Sequence, residues 1–559
     1  CTDINGDGEE REVKLTNPPQ TPPTIESFIT NNRLLERKFM KTNKLLAAGA
    51  LALSMAMTPV ASLINAMPVM AAKIELPKDG DTYVTTHTYE IYQIFTGTYS
   101  NGTLSDIKWG VNGKGTQGSA VPNETVQQLT GITSTLDKEK LNTIKTFLTT
   151  DEDGKLVNPI TTLNSTKPIT DNLADGYYLI KDVDGSLTNQ TDEAYTLYIT
   201  QVIGNETYTI TPKTGIPRVD KEVYDDADPD NQGAGWKEAA DHDLNTVFQF
   251  RLTGTVDAST LARYNTYKMV FHDTLSKGVS YEGEVEVFVN DSTTPLSPSN
   301  YTVSDAQTGE DGKTTFSVTF NNVNTDGFKD TDGNVKIQIV YNAKLTDAAV
   351  VNDNSGKIGN DNTVYLEYSN NPNSEGTGNT KEDKVFVASF KLLNTKVDGA
   401  GEKNNDLSGA EFAVISGKNS AAFKVVDGKY MFQHWITEDN PKGNDEVDVV
   451  TTNAGGDFSV YGLDAGSYIL RETKTWDGYN TAPDTTFTVK ATHDEDEGGQ
   501  TATVTIADDS ALNHEVTNTK NGSLPETGGM GTTMIYGVGA VMVAGAAVFY
   551  VTNKRTRKD

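Results

Sequence analysis

Between residues 73 and 520, apolar side chains recur at every second position, as in Tyr195–Ile199, Val285–Val289, Phe316–Phe320, Lys336–Val340 and Tyr468–Leu470. Period two is the signature of a half-buried strand. Helical spacing is scarce there, and only Lys138–Leu148 predicts a helix of any length. Turn residues separate the alternating runs at short intervals, the pattern of antiparallel sandwiches. Breaks near Lys213–Pro217 and Thr380–Asp383 divide the chain into pieces of ordinary domain size. The expected domains are therefore 73–212, 213–385 and 386–520, all of them β-rich.

The alternation is broken in an ordered way. In Val219–Val223 it puts Lys221 on the face of the two valines. Met269, Phe271 and Asp273 share a face, as do Asn362, Val364, Leu366 and Tyr368. The third domain repeats the pattern with Phe390, Leu392, Asn394 and Lys396, then Tyr468, Leu470 and Glu472, then Val516 and Asn518. A single inward lysine ordinarily snorkels to solvent or sits at a strand end. A lysine, an acid and an asparagine facing inward twice, in the same chain order, point to chemistry. Burial disfavours the charged forms of both lysine and acid. A neutral amine held beside a carboxamide polarised by a protonated acid can attack it and expel ammonia, leaving a Lys–Asn isopeptide bond.

Composition sharpens this expectation. Apolar residues make up 36% of the 559, and the formal charge is -30. That charge argues against nucleic acid as a partner, since phosphate binding needs a basic face. The only cysteine is Cys1, so disulfides cannot staple the domains. An isopeptide bond would fill the same role.

The two ends predict export and attachment. Met40, the first methionine, is followed by Lys41 and Lys44, an apolar run from Leu45 to Met57, and small residues up to Ala71 and Ala72. This is the order of a secretory signal peptide, expected over 40–72. Cleavage is expected after Ala71 or Ala72, with Ala66 as the alternative. Residues 1–39 read as upstream sequence, because Glu36-Arg37-Lys38 can be encoded by a purine-rich ribosome-binding site. Their Asp3–Gly8 stretch fails as a calcium loop, since Lys14 stands where a bidentate acid is needed. At the other end, Leu524, Pro525, Glu526, Thr527 and Gly528 precede an apolar stretch, Met534–Val551, and a tail with Lys554, Arg555, Arg557 and Lys558. Pentapeptide, span and basic tail define the segment 521–559.

That C-terminal order resembles the cell-wall sorting signal of Gram-positive surface proteins. The resemblance implies that a sortase cuts between Thr527 and Gly528, leaving a thioester on Thr527 for an amine to resolve. Lys396-Val397-Asp398-Gly399, Leu407–Phe412 and Gly462–Thr473 with Gly478-Tyr479 resemble a collagen-adhesin B-type domain and its E-box. They imply Glu472 as catalytic acid and a Lys396–Asn518 bond. Trp476-Asp477 stands where a proline often precedes the Gly-Tyr pair. Val270–Leu275 and Asn362–Asn370 resemble the fimbrial D2 domain, an A-type relative. They imply a Lys221–Asn362 bond with Asp273 as catalyst, while Asn360, two residues away on the same face, competes with Asn362. The fold class implied is tandem immunoglobulin-like β-sandwiches.

Tyr208–Pro217 is similar to the pilin motif of shaft fimbrillins, with Thr211-Pro212-Lys213 in place of the better-known Tyr-Pro-Lys. Two prolines hold it extended, which should present Lys213 on the surface. The implied function is the shaft subunit of a covalent pilus: a class C sortase joins Thr527 to Lys213 of the next subunit, and a housekeeping sortase attaches the base to peptidoglycan. Implied partners are those sortases, identical subunits, accessory pilins, peptidoglycan and, as a further candidate, host extracellular matrix. The implied location is the cell surface, with transient membrane anchoring before sorting. The alternative is a singly wall-anchored adhesin or accessory pilin that leaves Lys213 unused. An enzyme is not expected, because metal-ligand clusters, phosphate loops and nucleophile elbows are missing from the sequence pattern, so neither cofactor nor metal is expected.

Overall fold

The computed structural model describes residues 72–519, apart from short internal stretches such as 129–137, 227–232, 352–359, 398–407 and 507–512. The segment expected to be a signal peptide, Ala72 apart, and the Leu524–Gly528 motif lie outside the described residues. Among those described, no helix is long and apolar enough to cross a membrane. Two compact units result: Cys1–Ser186 with Thr196–Lys213, and Leu187–Tyr195 with Thr214–Asp559. Both are built from strands, as the period-two pattern requires.

In the first unit, Tyr89–Ser100 lies between Thr103–Trp109 and Gly176–Asp182, and the latter pairs with Leu197–Val202. Tyr89, Ile91, Tyr178, Ile180 and Val202 fill the core on one face. The helix expected over Lys138–Leu148 forms over Lys138–Lys145. Residues past the second proline boundary belong to the second unit.

That unit opens with a sandwich of two sheets. One contains Arg218–Asp225, Val247–Val256, Val335–Leu345 and Val279–Val289; the other contains Asp383–Ala388, Asn360–Ser369, Met269–Leu275 and Thr314–Phe320. Val335–Leu345 shows why these segments become strands: every odd residue is buried and every even one is partly exposed. Phe250, Phe271 and Tyr341 are fully enclosed between the sheets, each contributing about 1.5–3 kcal/mol of burial.

The second sandwich is one continuous hydrogen-bonded path of strands, including Gly466–Lys474, Glu411–Ser416, Lys429–Trp435, Asp457–Leu463, Phe390–Val397 and Asn513–Thr517. The path folds over a shared core, since Phe412 stacks on Phe458 at 5.0 Å although their strands are not paired. Its first strand, Phe390–Val397, and its last, Asn513–Thr517, run parallel as neighbours, with Lys396 opposite Val516.

Candidate functional site

Strand parity turns Lys221 into the first sandwich, where it is fully buried beneath the partly exposed Glu222 and the exposed Asp220. It comes from one sheet; Asp273 and Asn362, also buried, come from the sheet opposite. The Lys221 ammonium pairs directly with the Asp273 carboxylate. It also donates to the Tyr341 hydroxyl at 3.3 Å and lies 5.1 Å from the centre of the Phe250 ring. The Tyr341 hydroxyl donates to Asp273 Oδ1 at 3.0 Å and accepts from Asn362 Nδ2 at 2.6 Å. Asn362 Oδ1 is buried without a donor among the described residues. Burial pushes the Lys221 amine down and the Asp273 carboxyl up, against their mutual attraction. Both shifts favour a neutral amine beside a protonated acid, whose O–H can supply the missing donor to the amide oxygen.

Asn360 is directed elsewhere. Its side chain accepts from the Val350 amide at 2.7 Å and donates to the carbonyls of Val350 and Val387. Of the two candidates, Asn362 is the one beside Lys221.

The second sandwich gathers Lys396, Glu472 and Asn518, all buried. Lys396 pairs directly with Glu472. Glu472 Oε2 accepts from Asn518 Nδ2 at 2.9 Å and from the Ala482 amide at 2.6 Å. Asn518 Nδ2 also reaches the Thr475 hydroxyl and the Asn480 carbonyl, each at 2.8 Å. Lys396 donates to that same Thr475 hydroxyl at 3.2 Å, and its ammonium lies 3.8 Å from the Trp476 ring centre. Burial pushes the Lys396 amine down to about 7, so a substantial fraction is a neutral nucleophile near neutral pH. Asn518 Oδ1, like Asn362 Oδ1, is buried without a donor among the described residues. Trp476 thus caps the lysine. Sequence reasoning missed Tyr341 and Thr475. An alternating strand makes Tyr341 look like any core aromatic, and Thr475 follows the last residue of the patterned run.

Lys213 is half-buried rather than fully presented. Its backbone amide donates to Thr196 Oγ1 at 3.1 Å, and its ammonium lies over the Tyr198 ring at 5.7 Å. Both contacts belong to the edge of the first unit. Thr196 is in turn fixed through its amide to Asp182 Oδ2 at 2.7 Å, and Asp182 Oδ1 holds His87 Nδ1 at 2.8 Å. The edge of the first unit thus takes up the lysine.

Where the second unit's sandwiches meet, carboxylates converge. The Asp464 amide donates to Asp243 Oδ1 at 2.8 Å, the Ala465 amide to Asp241 Oδ2 at 2.7 Å, and Trp435 Nε1 to Asp243 Oδ2 at 2.8 Å. Gly462 has φ +92, and a Cβ there would lie 2.2 Å from Leu244 Cδ1, so the joint demands glycine. Ligand atoms of Asp226, His242 and Asp464 lie within 4.8 Å of one another. The sequence scan for metal-ligand clusters passes over this group because its members are far apart along the chain. Burial pushes the Asp243 carboxyl up to about 6, and the charges of Asp226 and Asp241 add to the shift. Burial and the neighbouring Asp241 hold Asp464 well above the ordinary range. Asp225, which accepts from the Asp241 amide, is paired with Lys237 at 2.6 Å. The folded chain therefore keeps protons that the unfolded chain has released, so between about pH 4 and 6 stability falls as pH rises. Calorimetry should find this unit melting higher at about pH 5 than at about pH 7.5, and a flat or reversed profile would contradict the assignment.

Comparison with known proteins adds one family. Residues 390–510 match the model "SpaA: Prealbumin-like fold domain". The match spans most of the second sandwich, including Lys396 and Glu472. No curated protein matches the sequence. Among solved structures, the T6 backbone pilin of serotype M6 Streptococcus pyogenes is 15% identical, with a TM-score of 0.45 over 81% of this chain and 99% of that one. The major pilin SpaD of Corynebacterium diphtheriae is 18% identical, with a TM-score of 0.40 over 81% and 98%. The major pilin RrgB of Streptococcus pneumoniae is 14% identical, with a TM-score of 0.38 over 81% and 100%.

Proposed function

We propose that this chain is the shaft subunit of a covalent cell-surface pilus, with sandwiches cross-linked by Lys221–Asn362 and Lys396–Asn518 bonds. The observation that carries the reading is the twofold occurrence of a buried lysine paired with an acid and set beside a buried asparagine. In the first case the groups come from opposite sheets, so the bond would tie the sandwich across its core. In the second they sit on the first strand and just past the last, so the bond would tie entry to exit. Both arrangements suit a subunit that carries load and has no disulfide available.

The chemistry follows from burial. Lysine gives a proton to the acid, and the neutral amine attacks the amide carbon while the protonated acid polarises its oxygen. The carbon–nitrogen bond to Nδ2 breaks and ammonia leaves. Asp273 and Glu472 are the acids in this scheme. Between subunits, a class C sortase would transfer the Thr527 acyl group to Lys213, a head-to-tail contact that does not close. A housekeeping sortase would place the fibre on peptidoglycan.

A singly anchored adhesin or accessory pilin would share the internal bonds and differ only in leaving Lys213 unused. Denaturing electrophoresis of wall extracts separates the two: a ladder supports the shaft subunit, a single species the alternative. For the internal bonds, the intact mass of residues 73–520 should fall short of the sequence mass by two ammonias. Lys221→Ala and Lys396→Ala should each restore one. A mass equal to the sequence would sink both bonds.

A further inference from the structure

The two clusters share a member that neither strand pattern nor motif assigns. In each, one hydroxyl bridges the lysine nitrogen and the amide nitrogen. Tyr341 accepts from Lys221 Nζ at 3.3 Å and from Asn362 Nδ2 at 2.6 Å. Thr475 accepts from Lys396 Nζ at 3.2 Å and from Asn518 Nδ2 at 2.8 Å. The two hydroxyls come from different residue types and from unrelated places: a strand facing Asp273 in the first sandwich, the end of the Glu472 strand in the second. The same position reached by different residues points to a shared chemical need.

That need arises in the second half of the reaction. Once the amine has added to the amide carbon, Nζ must lose a proton and Nδ2 must gain one, because ammonia leaves readily and the amide anion does not. Both nitrogens are then on one carbon. Direct transfer would pass through a strained four-membered ring, whereas transfer through a hydroxyl closes a ring of six: two nitrogens, the carbon, the oxygen and two hydrogens. We propose that Tyr341 and Thr475 are catalytic residues of isopeptide formation, each relaying the proton from lysine Nζ to the departing Nδ2; this rests on the cross-linking reading above. The hydroxyl takes the Nζ proton as it gives its own to Nδ2, so it ends as it began. The carbon–Nζ bond has formed, the carbon–Nδ2 bond breaks, and one ammonia leaves with no further reactant.

Burial supports a concerted transfer in the first sandwich. It holds the Tyr341 phenol well above its ordinary range, so a free phenolate is avoided and the proton moves only as another arrives. In the resting cluster the Tyr341 O–H points at Asp273 Oδ1 at 3.0 Å, so in the relay it swings to Nδ2 once the amine has added and leaves a lone pair toward Nζ. In the second sandwich Glu472 Oε2 itself reaches Asn518 Nδ2 at 2.9 Å, so the carboxylate offers a parallel route there. The first site should therefore depend on its hydroxyl more heavily than the second.

The test is the rate of ammonia loss, followed by intact mass after pulse synthesis of residues 73–520 in a cell-free system. Tyr341→Phe should slow closure of the first bond by roughly a hundredfold, and Thr475→Val should slow the second by roughly tenfold. Thr475→Ser, which keeps the hydroxyl, should restore the wild-type rate. In each variant the other sandwich closes normally and serves as the internal standard, and solvent deuterium should slow the wild-type reaction. Folded Tyr341→Phe closing at the wild-type rate would overturn the relay. If that variant fails to fold, the valine and serine pair decides: equal rates for the two overturn the relay in the second site. A wild-type chain that loses no ammonia overturns the cross-link reading itself, and the relay with it.

Discussion

Asn518→Ala chains should lose one ammonia instead of two, and their second sandwich should melt about 15–20 °C below wild type. The acceptor carbon is gone, so the Lys396 amine has nothing to attack, while its partner Glu472 remains in place. This choice avoids the confusion that removing Glu472 would bring, since an unpaired buried ammonium is itself strongly destabilising. The expected size follows from chain entropy. A bond between residues 396 and 518 closes a loop of roughly 120 residues in the unfolded chain, which stabilises by about 5 kcal/mol on the loop-closure model. For a domain of this size each kcal/mol moves the midpoint by about 3–4 °C. Scanning calorimetry with the mass measured on the same sample gives both numbers. An Asn518→Ala chain that melts with wild type would mean that the bond contributes nothing to the fold.

The placement of this bond also bears on tension. Lys396 is near the end of the first strand, and Asn518 follows directly after the parallel last strand, its amide bonded to the Val397 carbonyl at 3.1 Å. Force entering at one and leaving at the other would pass through the new amide and bypass residues 397–517. The Lys221–Asn362 bond would act differently, holding two sheets face to face across a core that includes Phe250 and Phe271. One bond would guard against stretching, the other against the sheets sliding apart.

Much of this was legible in the sequence, and for a physical reason. Side chains alternate strictly along a strand, so Lys221 beside Val219 and Val223 had to face inward, and the buried Lys221 and Val223 follow that parity. Parity could not choose between Asn360 and Asn362, because both face the same way. The choice depends on backbone partners at Val350 and Val387, which only the folded chain brings to Asn360. Tyr341 and Thr475 stayed hidden because a hydroxyl in a core reads as packing until its neighbours across the sandwich are known. The carboxylate joint stayed hidden for a related reason: Asp241 and Asp243 lie more than two hundred residues before Asp464, yet accept the backbone amides of Asp464 and Ala465. Lys213 shows the opposite error. Prolines foretold an extended segment, but not the strand edge on which Tyr198 and Thr196 receive it.

Lys213→Ala should abolish the covalent ladder in denatured wall extracts and leave one wall-attached species in its place. The thioester expected on Thr527 is indifferent to which amine resolves it, so cell-wall amines should still capture the chain. What disappears is the nucleophile that makes one subunit the acceptor for another. Lys213→Arg is the sharper variant. It keeps the positive charge over the Tyr198 ring, and its backbone amide can still donate to Thr196, but a guanidinium is protonated at any physiological pH and does not attack an acyl group. If arginine abolishes the ladder as alanine does, the lysine acts as a nucleophile and not as a packing or docking residue. A ladder that survives both changes assigns polymerisation to another amine. A ladder that survives arginine and is lost with alanine gives Lys213 a binding role only. The intact mass should meanwhile show both ammonias lost in either variant, because Lys221 and Lys396 are each enclosed in a core with their own acid.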